Sequence, residues 1–124
     1  MIELLKALAD ENRLRLFNIL LETDLCVCEI ETILEMSQSN TSRHLLKLKS
    51  AKIIVSTKDA QWVHYKVSDS FKDNHKMLFE YLKEEVQKNE LYNADRKRLT
   101  KYQSLNLTCT DIREDSNRVI QLIT

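Results

Sequence analysis

A mainly α-helical domain, built on a helix–turn–helix with a two-stranded β-hairpin behind it, follows from three observations. Glycine and proline are both absent from the 124 residues, where average usage gives roughly nine and six. Two short segments with helical apolar stripes meet at the turn Glu35-Met36-Ser37. Residues 53–67 then switch to β-branched and alternating residues. The missing glycines also exclude a P-loop, a dinucleotide-binding GxGxxG turn and a GxSxG nucleophile elbow.

The first element is Ile2 to Ala9, apolar at positions 2, 4, 5 and 8. Such a face is too rich for one small domain, so it is expected at a dimer interface; an ordinary core helix is the alternative. Asp10 is placed to cap the next helix, with Glu11 in its first turn. Leu14, Leu16, Phe17, Ile19, Leu20 and Leu21 make that helix the buried centre.

The helix–turn–helix occupies residues 24–52. Its first helix carries the stripe Cys26, Ile30, Ile33, Leu34 and contains Cys26-Val27-Cys28. Cys26 can serve as a small buried hydrophobe. Cys28 cannot share that role, because positions i and i+2 of a helix point about 200° apart. One ion is therefore expected to reach both sulfurs only if the first turn unwinds. Ser37 is placed to cap the second helix, and Thr41, Leu45 and Leu48 form its inward stripe. Its other face offers Gln38, Ser39, Asn40, Ser42, Arg43 and Lys47, residues suited to base edges and phosphates near a helix N-terminus. His44 lies between the faces and can either touch phosphate or pack.

Charge is unevenly spread along a neutral chain. Residues 1–36 hold three cations and eight acids, whereas residues 37–58 hold five cations and no acid. A concentrated basic patch suits docking on duplex DNA.

Ile53 to Thr57 and Trp62 to Val67 read as the hairpin strands. Lys58 at the tip can reach a phosphate or the minor groove, and Asp59 is the tip residue best able to take a positive φ. One long helix is expected from Asp69 to about Leu91, with Phe71, Leu78, Tyr81, Leu82 and Val86 along one side. Asp73 and His75 are expected on its solvated face. Beyond Asn93 the pattern weakens. Arg96, Lys97, Arg98 and Lys101 read as a solvated basic face. A short closing helix is expected over Asp111 to Ile123, capped by Thr110. Two units follow: residues 1–92 for DNA binding and dimerisation, and residues 93–124 as a C-terminal tail.

Several of these motifs carry a family resemblance. Leu25-Cys26-Val27-Cys28-Glu29 is similar to the thiolate metal box of the ArsR/SmtB family of metal-responsive winged helix-turn-helix repressors. Ser37-Gln38 through Ser42-Arg43-His44-Leu45 resembles that family's recognition helix. Trp62-Val63-His64-Tyr65 resembles its second wing strand, and Leu8-Ala9-Asp10-Glu11-Asn12-Arg13-Leu14 the start of its second helix. The resemblance covers roughly residues 1–90. It implies a winged fold with terminal dimerisation helices, an apo homodimer on operator DNA, and release by As(III) or Sb(III). Two positions depart from the pattern: Glu31 stands where arsenic sensors often place a third Cys, and Ala60 where the wing usually has Gly.

The chain holds three cysteines, and As(III) prefers three thiolates in a pyramid. With Glu31 a poor ligand for a soft ion, Cys109 is the remaining candidate beside Cys26 and Cys28, a bystander thiol being the alternative. The inducer alternatives are Cd(II), Pb(II), Zn(II) or thiol oxidation; a winged-helix module that binds protein is the alternative outside DNA binding. An enzyme is not expected, since no His lies near a Cys in sequence. No apolar run approaches the ~20 residues of a membrane span and no secretory signal is visible, so a cytoplasmic protein is expected.

Overall fold

The computed structural model describes residues 1–124. It runs α1 (Ile2–Leu8), α2 (Glu11–Leu20), β1 (Leu25–Cys26), α3 (Val27–Leu34), α4 (Gln38–Ser50), β2 (Ile54–Asp59), β3 (Trp62–Val67), α5 (Asp69–Asn74), α6 (Lys76–Lys88), α7 (Glu90–Ser104), α8 (Cys109–Glu114) and α9 (Ser116–Ile123).

The helix starts are fixed by the caps expected of them. The Asp10 carboxylate accepts the Arg13 backbone N–H at 3.1 Å, and the Ser37 hydroxyl accepts that of Asn40 at 3.2 Å. Helix α3 ends where Glu35 turns left-handed at φ 53, which brings α4 across it. Together α3 and α4 make the helix–turn–helix, with Leu45 and Leu48 buried beneath it beside Ile30 and Ile33.

The sheet has three strands in the order β1-β3-β2, all antiparallel. Only the hairpin β2–β3 was expected. The third strand is two residues long, pairing Leu25 with Tyr65 and Cys26 with His64. At the hairpin tip Ala60, not Asp59, takes the positive φ, at 55°. The register pairs Asp59 with Trp62, which leaves Asp59 the last residue of β2 and hands the turn to Ala60.

The expected long helix is broken. At His75 the backbone reaches φ −128, ψ 47, so α5 ends and α6 begins in a new direction. The kink brings Phe71 and Phe79 together against Phe17, three rings in edge-to-face contact with centroids 6.2–6.3 Å apart. Tyr81, expected inward, is exposed, while Phe71, Phe79 and Val86 are buried.

The C-terminal residues join the same core. Leu99, Tyr102, Ile112, Val119 and Ile123 belong to one cluster with Leu16, Phe17 and Ile33. The chain position 92/93 falls inside α7. Two short helices replace the single closing helix, and the cap of the first is Thr108, whose N–H and hydroxyl both reach the Asp111 carboxylate. Arg96 and Arg98, expected in solvent, instead bind backbone carbonyls: Arg96 those of Val86 and Gln87, Arg98 that of Ile33.

Candidate functional site

Cys26 lies outside the helix that follows it. Its backbone is extended, φ −84 and ψ 165, because it pairs in β1 and serves as the N-cap of α3. Cys28 is the second helical residue. The two sulfurs therefore do not diverge as two positions within a helix would, and no turn has to unwind for them to meet. Helix α8 is laid across α3 by the buried Ile112 and Cys109. The Sγ atoms of Cys26, Cys28 and Cys109 all lie within 4.8 Å of one another, and the Cys28 thiol is 2.8 Å from Cys109 Sγ. These last two residues are 81 positions apart in sequence.

Two further side chains frame the sulfurs: Glu29, which closes the metal-box stretch, and Tyr102, which was not singled out from sequence. Glu29 Oε1 accepts the Cys26 backbone N–H at 2.9 Å and the Cys26 thiol at 3.1 Å. Glu29 Oε2 accepts the Tyr102 hydroxyl at 2.5 Å. The spacing Cys26-x-x-Glu29 has the form of a capping box, which was the available signal; the Tyr102 bond had none. Burial pushes the Cys28 thiol up to about 12, helped by its bond to Cys109 and by the Glu29 charge. Burial raises Cys26 further still. Cys26 and Cys28 are thus held as thiols until an ion or its hydroxides remove the protons.

A cleft of about 300 Å³ opens on Cys26 and Cys28. Glu31, Gln38, Trp62 and Val63 complete its wall. Burial raises the pKa of Glu31. The guanidinium of Arg113, on α8, stacks over the Trp62 ring at 4.9 Å. The thiol cluster is therefore one layer from both the first residue of α4 and the wing strand β3.

The face of α4 is as expected, with one exception. Gln38, Ser39, Asn40, Ser42, Arg43 and Lys47 are exposed on one side, and Lys58 is exposed on β2. Arg43 donates to Asn40 Oδ1 at 3.0 Å, which pre-orders two side chains of the types suited to base edges. His44 is the exception. It is only 4% exposed, and its Nδ1 accepts from the Arg13 guanidinium at 3.2 Å. Arg13 is itself held by the carbonyls of Ala7 at 2.6 Å and Lys6 at 3.3 Å. His44 is therefore a strut between α1 and α4 and leaves the outward set. Its position one residue from the inward stripe, at Leu45, explains the change.

A two-helix motif with its second helix exposed and basic, backed by a β-hairpin, is a winged helix-turn-helix. Residues 10–56 match the profile described as bacterial regulatory protein, arsR family. The arsenical resistance operon repressor of Escherichia coli is 44% identical over 68 residues, 54% of this chain and 58% of that protein. The arsenic resistance transcriptional regulator ArsR2 of Pseudomonas putida is 32% identical over 94 residues, 75% of this chain and 79% of that protein. Among solved structures, reduced HlyU from Vibrio cholerae superposes with a TM-score of 0.55 at 37% identity, covering 65% of this chain and 85% of that one. The chain belongs to the arsR family of bacterial regulators. It spans about half the length of the first curated relatives it matches.

Proposed function

We infer that the protein is a metalloid-responsive transcriptional repressor. As an apo homodimer it binds operator DNA through Gln38, Ser39, Asn40, Ser42, Arg43 and Lys47, with Lys58 on the wing. It leaves the operator when As(III) or Sb(III) is bound by Cys26, Cys28 and Cys109. It is a regulator and not an enzyme. The observation that carries this reading is the meeting of all three cysteines of the chain, from three separate elements, beside the recognition helix.

The donor set suits the ion. Three thiols and no nitrogen or oxygen favour a soft, three-coordinate centre. The proton balance supports the same choice. Arsenous acid, As(OH)3, exchanges three As–O bonds for three As–S bonds, and each hydroxide leaves as water with one thiol proton. No proton is released to solvent, so buried thiols are no obstacle. A bare divalent cation would have to expel three protons. The matched relatives include regulators named for arsenic and for cadmium resistance, so the choice of ion rests on this chemistry.

Dimerisation is supported by apolar side chains that the single chain leaves uncovered. Ile2 and Leu5 on α1, and Met77 and Tyr81 on α6, are 45–89% exposed. Binding and release act on one equilibrium: the ion must favour the off-DNA conformation by a few kcal/mol to empty the operator.

The test is fluorescence anisotropy on the DNA upstream of the protein's own gene. Binding by the apo protein and release by As(III) are the expected results. Binding that As(III) leaves unchanged would remove the metalloid from the mechanism.

A further inference from the structure

A second set of donors surrounds Cys26 on its other side. Cys26, Glu29 and His64 each offer one ligand atom, and these atoms lie within 4.8 Å of one another. Three separate features build this set. Cys26 and His64 are directly opposed in the β1–β3 pair, and opposed residues of an antiparallel pair point to the same face. Glu29 returns to Cys26 from the first turn of α3 as its capping carboxylate. Tyr102 then fixes that carboxylate by holding Oε2, so that Oε1 faces the thiol. A carboxylate oriented by an outer hydrogen bond is the usual condition of a metal ligand. A cleft of about 410 Å³ reaches Glu29 and Tyr102, the carboxylate end of this set.

We propose that Cys26, Glu29 and His64 form a second coordination site, for a borderline divalent cation of the Zn(II) class, that excludes the three-thiol site because both use Cys26. One sulfur, one oxygen and one imidazole nitrogen match Zn(II) and its neighbours, not a trivalent metalloid. Bonds of about 2.0–2.3 Å put neighbouring ligands of a tetrahedral ion about 3.3–3.8 Å apart, so the donors need to close by no more than about 1.5 Å. Water takes the fourth position. The chain thus selects between ion classes by which neighbours Cys26 joins: Cys28 and Cys109, or Glu29 and His64. Occupancy by the divalent ion raises the concentration of metalloid needed to fill the other site.

The experiment uses the full-length reduced protein and Co(II) alone as the probe. A Cys28→Ser/Cys109→Ser double variant removes the three-thiol site and is expected to bind one Co(II), with a single sulfur-to-cobalt charge-transfer band and tetrahedral d–d absorption. Adding His64→Gln is expected to weaken Co(II) at least about tenfold. Absence of Co(II) binding in the double variant, or an unchanged affinity on adding His64→Gln, overturns the proposal. Wild type supplies the measurement if the double variant does not fold. There Zn(II) should shift the His64 imidazole signals and lower the affinity for As(III); simultaneous binding of both ions, or unmoved His64 signals, overturns it equally. The Co(II) and His64 readouts involve neither DNA nor As(III), so the site and the repressor reading stand or fall separately.

Discussion

The recognition face and the thiol centre are built in opposite ways. The face lies on one helix, α4, and six of its residues fall within ten positions of each other, from Gln38 to Lys47. Its capping and inward stripe are local, so helical period alone decides which side chains point outward. The thiol centre draws Cys26 from a strand, Cys28 from α3 and Cys109 from α8. It exists only when the C-terminal helices have docked. Substitutions should therefore separate the two functions cleanly, and the thiol centre should be the more sensitive to distant changes.

The largest effect is expected at Cys28. Cys28→Ser should keep operator affinity while weakening As(III) by more than about 100-fold, since even outer hydrogen bonds to ligands are worth about 10–100-fold. Isothermal titration against anisotropy makes the comparison; loss of both activities together would merge the two regions. Next is the proton balance. As(III) affinity should stay nearly flat between about pH 6 and 8, whereas Cd(II) captured by all three thiols should tighten steeply, about tenfold per pH unit for each proton expelled. A steep fall of As(III) affinity with rising pH would show that the thiols enter already ionised, because each departing hydroxide must then take its proton from solvent.

On the other region, Arg43→Ala should cost about 1–3 kcal/mol of operator affinity and relax sequence preference, with As(III) binding untouched. A change in ion affinity there would couple the face to the centre. A smaller effect is expected at the wing. Ala60→Gly relieves a left-handed backbone at φ 55 and should raise unfolding stability by up to about 1 kcal/mol, read from thermal melts. An unchanged or lower melting temperature would mean that chain entropy offsets the relief.

The smallest effect concerns His44. Burial lowers its pKa; Arg13, Arg43 and Lys47 push the same way, and Asp10 opposes them. The unfolded chain then binds the proton more readily than the folded one. Stability is full above the ordinary value near 6.5 and declines as pH falls from there toward the folded pKa. His44→Gln should flatten this decline in denaturant titrations; an equal slope in both proteins would place the acid sensitivity elsewhere.

The sequence made the local half of the molecule legible. The caps Asp10 and Ser37, the turn at Glu35, the hairpin and the outward side of α4 all follow from residue type and period. Cysteine chemistry also pointed to Cys109, since soft ions want sulfur and only one other sulfur ligand was left. What the sequence could not supply was pairing at a distance. A two-residue strand has no periodicity, so the extended Cys26 and its neighbour His64 were invisible. Tyr102 reads as one more residue on a weakly amphipathic helix until α7 packs against α3. The break at His75 carries no Pro or Gly to announce it, because the gain is a cluster of three rings.

The network around Asp95 determines how α3 can move. Asp95 is 1% exposed and accepts from both Arg15, at 2.8 Å, and Arg98. The same two guanidinium groups grip the last carbonyls of α3, Arg15 that of Leu34 at 2.9 Å and Arg98 that of Ile33 at 2.7 Å. They satisfy the negative end of the helix dipole and pin that end to α2 and α7. A rod fixed at one end answers a pull at the other by pivoting. Eight residues make a lever about 12 Å long, so a displacement of about 1 Å at the Cys28 end swings it by about 5°. With the fulcrum at Glu35, one turn from where α4 begins, closure of the sulfurs on an ion would tilt the helix–turn–helix instead of sliding it.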